Sequence, residues 1–301
     1  MEEVTCFSPA KINLGLEITG VREDGYHELV TLYQSIDLCD RLIFKIRPDG
    51  KIFLTGNDPH LAWDKTNLIF RAAEVLKNRT GVSLGVEILV EKNIPAGRGL
   101  GGGSSNAAAT LLTLNRLWNI GLGSEELLSL AAVLGSDVPF FLVGGLCLGL
   151  GRGERLKPLP EPARWWVLLV LPDFSVSTAL AYQEYDRLER SLTSTDKESK
   201  IIQFLEAKDI SLIRQFKNDL EAVAFKIYPQ LAEIKQEINS SSAELSLMSG
   251  SGSALFGLYA QEDLARKAAA SLSRKYRTLV VATVSREEYR RKLGTGASPN
   301  W

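Results

Sequence analysis

Four short stretches hold the residues whose types and spacing suit phosphate chemistry. The most concentrated is IPAGRGLGGGSSNAAATLL, residues 94–112, where Gly97, Gly99, Gly101, Gly102 and Gly103 precede an alanine- and leucine-rich helical run. Residues without a Cβ leave backbone N–H groups open to a ligand, and the helix N-terminus behind them adds a partial positive charge, so the combination suits an anion. Ser104 and Ser105 add hydroxyls that could touch a phosphate or its Mg²⁺, and Asn106 is placed to cap the first helical turn. The competing reading is a mobile hinge or a close approach of two elements.

Neither standard phosphate motif fits. Residues 97–102 spell G-x-G-x-x-G, but a dinucleotide fold needs a second strand ending in an acidic residue about 20 positions on. Here one helical run follows another. The other loop, G-x-x-x-x-G-K-[ST], needs a lysine before the hydroxyl residue, and Gly103 stands before Ser104.

The remaining stretches are each ambiguous singly. In SPAKINLGL, residues 8–16, Lys11 and Asn13 share one strand face, and a lone strand lysine is ordinarily solvated or snorkelling. In LGSDVPFFL, residues 134–142, Asp137 precedes an apolar run where a carboxylate needs a partner; the alternative is a capping or turn aspartate. LMSGSGSALFGLY, residues 247–259, is a second small-residue loop or a tight turn. Together they change meaning. Phosphoryl transfer needs a phosphate cradle, a carboxylate for the accepting hydroxyl and a cation near the transferred group, and Gly97 to Ser105, Asp137 and Lys11 would supply these.

The elements that must position these groups can be read from pattern. KINLGLEITG alternates as a strand, with Ile12, Leu14, Leu16 and Ile18 on one face and Lys11, Asn13 and Glu17 on the other. VREDGYHEL holds an Asp-Gly turn, and LVTLYQSIDLCDRLIFKI continues as strand. NLIFRAAEVLKNRTG has helical spacing and a glycine stop; LGVEILVEKNIP is a strand delivering the chain into the glycine loop. SEELLSLAAVLG reads as a helix capped by Ser124 with Gly135 past its end. SDVPFFLVGGLCLGLGRGERLKPLP reads as a loop leading into apolar strand segments, with a domain boundary near residue 157. Beyond it come a buried strand, WWVLLVLP, a helix over SVSTALAYQEYDRLE, a solvated polar run at 191–200, two further helical stretches, the Ser/Gly loop, a last strand TLVVATVS and a frayed tail.

Composition sets the outer bounds. A chain of 301 residues is long enough for two domains. With 35 Lys plus Arg against 36 Asp plus Glu, no broad field of either sign favours nucleic acid or an anionic membrane. Cys6, Cys39 and Cys147 show neither metal-ligand nor redox spacing, and two histidines, His27 and His60, argue against a histidine zinc site. MEEVTCFSPAK resembles no signal or transit peptide. These features are those expected of a soluble cytoplasmic protein that binds neither nucleic acid nor a membrane.

In order and content, SPAKINLGLEITGVREDGYHEL, IPAGRGLGGGSSNAA, LGSDVPFFL and SGSGSALFG resemble the galactokinase, homoserine kinase, mevalonate kinase and phosphomevalonate kinase superfamily, from residue 8 to residue 257. Within it, DGYHEL soon after SPAKINL is similar to the 4-diphosphocytidyl-2-C-methyl-D-erythritol kinase family. The resemblance implies an α+β fold of two domains, an N-terminal ATP-binding and catalytic domain at 1–157 and a C-terminal substrate-binding domain at 158–301, with the active site in the cleft between them. It implies ATP and Mg²⁺, with the metal ligands left open, and a small-molecule substrate taken by a monomer or homodimer. Asp137 would be the base or orienting group for the substrate's 2-hydroxyl, with Lys11 beside it favouring the carboxylate.

By the same resemblance, the loop of Pro95, Ala96, Gly97, Arg98, Gly99, Leu100, Gly101, Gly102, Gly103, Ser104 and Ser105 would bind the ATP phosphates, and Asn13 would contact the substrate near its phosphorylated end. Tyr26 would stack on cytosine, the His27 segment would hydrogen-bond its edge, and Thr178 and Tyr182 would close the sandwich. Two positions depart from the pattern: Arg98 stands where many relatives have a small residue, reaching either the phosphates or solvent, and Asn106 replaces an aspartate common in relatives. The competing functions are a superfamily kinase for another small alcohol, whose acceptor has no base to stack, and a nucleotide sensor, for which Asp137 and Lys11 would be dispensable.

Overall fold

Two long, mostly buried strands joined through Asp24 and Gly25 build the spine of the first sheet. In the computed structural model, which describes residues 3–161, 163–189, 199–207 and 210–294, these are β1 (Glu3–Val21) and β2 (His27–Arg47), paired antiparallel along their length. The Asp-Gly turn signal is met: Gly25 has φ +81° and Arg22 N–H donates to the Tyr26 carbonyl at 2.7 Å. The sheet adds β3 (Ile52–Gly56), β4 (Gly85–Glu91), β5 (Leu146–Gly151) and β6 (Arg155–Pro158), in the order β3-β4-β2-β5-β6 with β1 also along β2. Only β3 and β4 run parallel, so the G-x-G-x-x-G loop lies in no dinucleotide-binding unit.

Helices α1 (Leu68–Thr80), α2 (Gly102–Leu117), α3 (Ser124–Leu134) and α4 (Val138–Val143) cover this sheet through a core that joins Leu42, Phe44, Val86 and Ile88 to Leu76, Leu111, Leu114 and Phe140. The expected glycine stop of α1 is Gly81, at φ +70°. Two expected caps are replaced. Ser124 is the first residue of α3, whose N-cap is Gly123, its N–H held by the Glu126 carboxylate at 3.2 Å. Asn106 lies inside α2 and is buried; it accepts a short hydrogen bond from the Ser8 hydroxyl, while Gly101 takes the N-cap. VPFFLV, expected as loop or strand, forms α4, because Pro139 is tolerated in a first turn and all six side chains are buried.

The second half builds an antiparallel sheet in the order β10-β7-β9-β8, from β7 (Trp166–Leu171), β8 (Leu245–Met248), β9 (Leu255–Tyr259) and β10 (Arg277–Ala282). Its helices are α5 (Thr178–Glu189), α6 (Lys200–Ala207), α7 (Glu221–Ile227), α8 (Gln230–Asn239), α9 (Glu262–Leu272) and α10 (Arg286–Lys292), with a 3₁₀ segment at Ile210–Gln215. The expected polar run and the tail fall largely outside the described residues. Strand β7 is buried on both faces. Val167, Leu169 and Leu171 meet Ile12, Leu32 and Leu146 of the first sheet, whereas Leu168 and Val170 meet Val223, Ile234 and Ala265 of the second-half helices. The two sheets therefore share a core.

Candidate active site

The glycine loop is held from both halves of the chain. Lys11 N–H on β1 donates to the Leu100 carbonyl at 3.0 Å, and Ala254 N–H donates to the Arg98 carbonyl at 3.2 Å. The Ser249 hydroxyl donates to the Gly99 carbonyl at 2.9 Å. Gly99 has φ +74°, and a Cβ there would stand 1.9 Å from the Ser249 carbonyl oxygen, so the position requires glycine twice over. The second Ser/Gly loop is thus packed against the first. Asn218 fixes it in turn, its amide donating to the carbonyls of Met248 and Gly250 at 2.8 and 2.7 Å.

A cavity of about 750 Å³ opens between these loops, the first hairpin and α5. Of the residues singled out in the sequence, Lys11, Asn13, Tyr26, His27, Gly97, Gly99, Gly101, Ser104, Asp137, Thr178 and Tyr182 line it. The others in the loop stand elsewhere. Leu100 is wholly buried in the shared core, and Gly102 packs against Ile94. The Ser105 hydroxyl is buried and donates to the Pro9 carbonyl at 2.7 Å, so it is spent on the fold. Pro95, Ala96, Gly103 and Arg98 do not line the cavity; Arg98 is half-buried, and its guanidinium donates to the Ser253 hydroxyl at 2.9 Å.

Lys11 is buried, contrary to the solvated lysine ordinarily expected on a strand. Its ammonium donates to Asn13 Oδ1 at 2.6 Å and stands 3.6 Å from Asp137 Oδ2. Asn13 Nδ2 donates to Thr31 at 2.8 Å, which fixes the amide that receives the lysine. Asp137 occupies the N-cap position of α4 yet makes no capping bond. Its other oxygen accepts from the Tyr33 hydroxyl at 3.0 Å. Burial, reinforced by the Asp137 charge, pushes the Tyr33 phenol well above its usual range, so it stays a donor. Sequence reading missed Tyr33; its only signal is its place opposite Asn13 in the β1/β2 pairing.

At the far end, His27 and Tyr182 stack on each other at 4.8 Å, which leaves no room for a base between those two rings. His27 Nε2 is 2.7 Å from Asp186 Oδ1 on α5. Tyr26 is 54% exposed and Arg152 covers one of its faces, the guanidinium carbon 4.6 Å from the ring centre. Thr178 hydrogen-bonds Ser251 of the second loop at 2.7 Å, linking α5 to it. Among the described residues, no three His, Cys, Asp or Glu side chains are grouped to hold a metal, and no helix is long and apolar enough to cross a membrane.

Two family models match the chain, GHMP kinases N terminal domain over residues 67–145 and GHMP kinases C terminal over 201–278. A 4-diphosphocytidyl-2-C-methyl-D-erythritol kinase of Gloeobacter violaceus is 43% identical, covering 86% of this chain and 86% of its own. That family is this chain's own. The kinase of the same name from Syntrophomonas wolfei is 42% identical, over 89% of this chain and 94% of its own. A crystal structure of 4-(cytidine 5'-diphospho)-2C-methyl-D-erythritol kinase is 38% identical with a TM-score of 0.78, covering 93% of this chain and 99% of that one. Homoserine kinase from Cytophaga hutchinsonii shares the fold at 19% identity and a TM-score of 0.73, over 95% of each chain.

Proposed function

We propose that this GHMP kinase transfers the γ-phosphoryl group of ATP to the 2-hydroxyl of 4-diphosphocytidyl-2-C-methyl-D-erythritol, giving the 2-phosphate and ADP. The carrying observation is the convergence of Lys11, Asp137 and the Gly97–Ser104 cradle in one cavity whose other end is lined by Tyr26, His27 and Tyr182. The relatives' shared name agrees with that acceptor.

In this reading the hydroxyl oxygen bonds to the γ-phosphorus as the bond to the β,γ-bridging oxygen breaks, and ADP leaves. Asp137 orients the hydroxyl and is the acceptor placed for its proton, with Tyr33 holding the carboxylate and Lys11 offsetting charge. Gly97, Gly99 and Gly101 present backbone to the ATP phosphates ahead of α2. Mg²⁺ would be held mainly by phosphate oxygens and water, as a hard cation that needs few protein ligands, and the Ser104 hydroxyl at the cavity wall is an oxygen donor that would suit it. The ion would neutralise charge on the transferring group.

Tyr26 offers a cytosine one face, because Arg152 holds the other, and the His27–Tyr182 pair forms the facing wall rather than a slot. We assign 1–157 to ATP binding and catalysis and 158–301 to completing the substrate side, and we place the protein in the cytoplasm. The test is a coupled ADP-release assay with Mg-ATP and diphosphocytidyl-methylerythritol, mevalonate, homoserine and galactose in parallel. Turnover is expected with the cytidylyl acceptor alone, and D137N is expected to lower kcat about 10²- to 10⁴-fold. Turnover with another acceptor instead would overturn the cytosine assignment, and ATP binding without any turnover would favour the sensor.

A further inference from the structure

The turn between β5 and β6 carries a cation, Arg152, whose charge nothing above employs. Arg152 stands between Gly151 and Gly153, at φ +74° and +98°, and its backbone N–H is held by the Glu154 carboxylate at 2.5 Å. Its guanidinium lines the cavity and lies over Tyr26. Nε is buried with no hydrogen-bond partner, and the side chain forms no ion pair among the described residues. The other cations near the cavity are committed, Lys11 to Asn13 and Asp137 and Arg98 to Ser253. A guanidinium beside a cavity with no ion-pair partner is a ready site for a ligand anion.

The turn's position says which part of a ligand that is. Gly153 is pressed against the Tyr33 hydroxyl, so closely that a Cβ would lie 2.2 Å from it. That hydroxyl binds Asp137, at the reacting end, while the neighbouring Arg152 touches Tyr26, at the base end. The turn therefore spans the interval between the accepting hydroxyl and the base. In a nucleoside diphosphate ester that interval is the diphosphate, two anionic groups whose oxygens match a guanidinium's forked donors.

Resting on the acceptor assignment above, we propose that Arg152 is a specificity-determining residue that binds the diphosphate of the acceptor substrate, its planar face on Tyr26 and its N–H edge on the phosphate oxygens. It selects against acceptors that lack the phosphates, and it stiffens Tyr26 for stacking.

Isothermal titration of the full chain with CDP and with cytidine tests this, with the donor site filled by a non-hydrolysable ATP analogue. R152Q is expected to weaken CDP by about 10- to 100-fold and cytidine by less than about twofold, with R152K between the wild type and R152Q for CDP. Raising the salt concentration is expected to weaken CDP more in the wild type than in R152Q. Equal losses for CDP and cytidine would make Arg152 a support for Tyr26 alone and overturn the proposal, as would unchanged CDP affinity. A wild type that binds cytidine but gains nothing from the added phosphates would overturn it while leaving the base site intact. A wild type that binds neither would overturn the acceptor assignment itself, and the proposal with it. Thermal melts of both variants separate a folding defect from lost recognition.

Discussion

Asp137 depends on neighbours that no single motif displays. The Tyr33 hydroxyl is its hydrogen-bond donor and Lys11 its cation, and the tyrosine's raised pKa keeps that donor protonated through the whole working range. Tyr33→Phe deletes the donor and leaves the ring packed against Phe140, so kcat is expected to fall about tenfold, the worth of one hydrogen bond to a charged group. Steady-state kinetics should show this with KM for ATP little changed; an unaltered kcat would mean that Lys11 alone positions the carboxylate. The thiols carry a second prediction. Burial pushes Cys6 and Cys147 up to about 11 and Cys39 up to about 12, so the thiol form dominates at pH 8 and native labelling by Ellman's reagent is expected to be at least about 100-fold slower than for the unfolded chain. The sign for stability follows from the raised folded values. The contribution of Cys6 and Cys147 is full below about pH 9, the ordinary thiol value, and is lost as pH rises through 11. Rapid labelling of three thiols in the native protein would contradict the burial.

Among the elements, the two glycine loops act as one device, since the Ser249 carbonyl fills the space a side chain at Gly99 would need. Gly99→Ala combines a left-handed backbone with that overlap and is expected to cost at least about 2 kcal/mol. In a chain of this length that lowers Tm by about 3 °C, and KM for ATP is expected to rise more than that for the acceptor. A variant with normal ATP KM would show that the loops move independently. Much of this was legible in the sequence: the glycines marked a loop of close backbone approach, alternation marked β1, and the Asp-Gly turn closed the first hairpin. What escaped had tertiary causes. VPFFLV offers equal apolar fill to a strand or a helix, and only its burial against α2 and the first sheet decides for α4. Asn106 looks like a cap until Ser8, 98 residues away, claims it. The far end of the cavity was half legible: Tyr26, His27 and Tyr182 do gather, but the direct stacking of the last two depends on the seating of α5, which no local pattern encodes.

For the molecule as a whole, the question is whether the two sheets behave as separate bodies. They share a core in which Ile12, Leu32, Ile36 and Leu146 of the first meet Val167, Leu169 and Phe256 of the second. Strand β1 also reaches into the second half, where Leu16 N–H donates to the Lys217 carbonyl and Asp219 N–H donates to the Leu16 carbonyl, each at 2.9 Å. Separating the halves would expose those side chains at about 25 cal/mol per Å² and strand those backbone groups, so neither half is expected to outlive the other. Calorimetry should show one unfolding transition, with coincident far-ultraviolet and tryptophan signals. The cavity is walled by both halves, by Lys11 and Asp137 from one and Thr178, Tyr182 and Ser251 from the other, so a bound nucleotide stabilises the entire unit. ADP at about 100 times its Kd adds about 2.7 kcal/mol, which for this length is about 4 °C in Tm, and the whole transition is expected to shift. If instead two transitions appear and ADP moves only one, the shared core does not couple the halves, and the cleft closes by docking two independently stable domains.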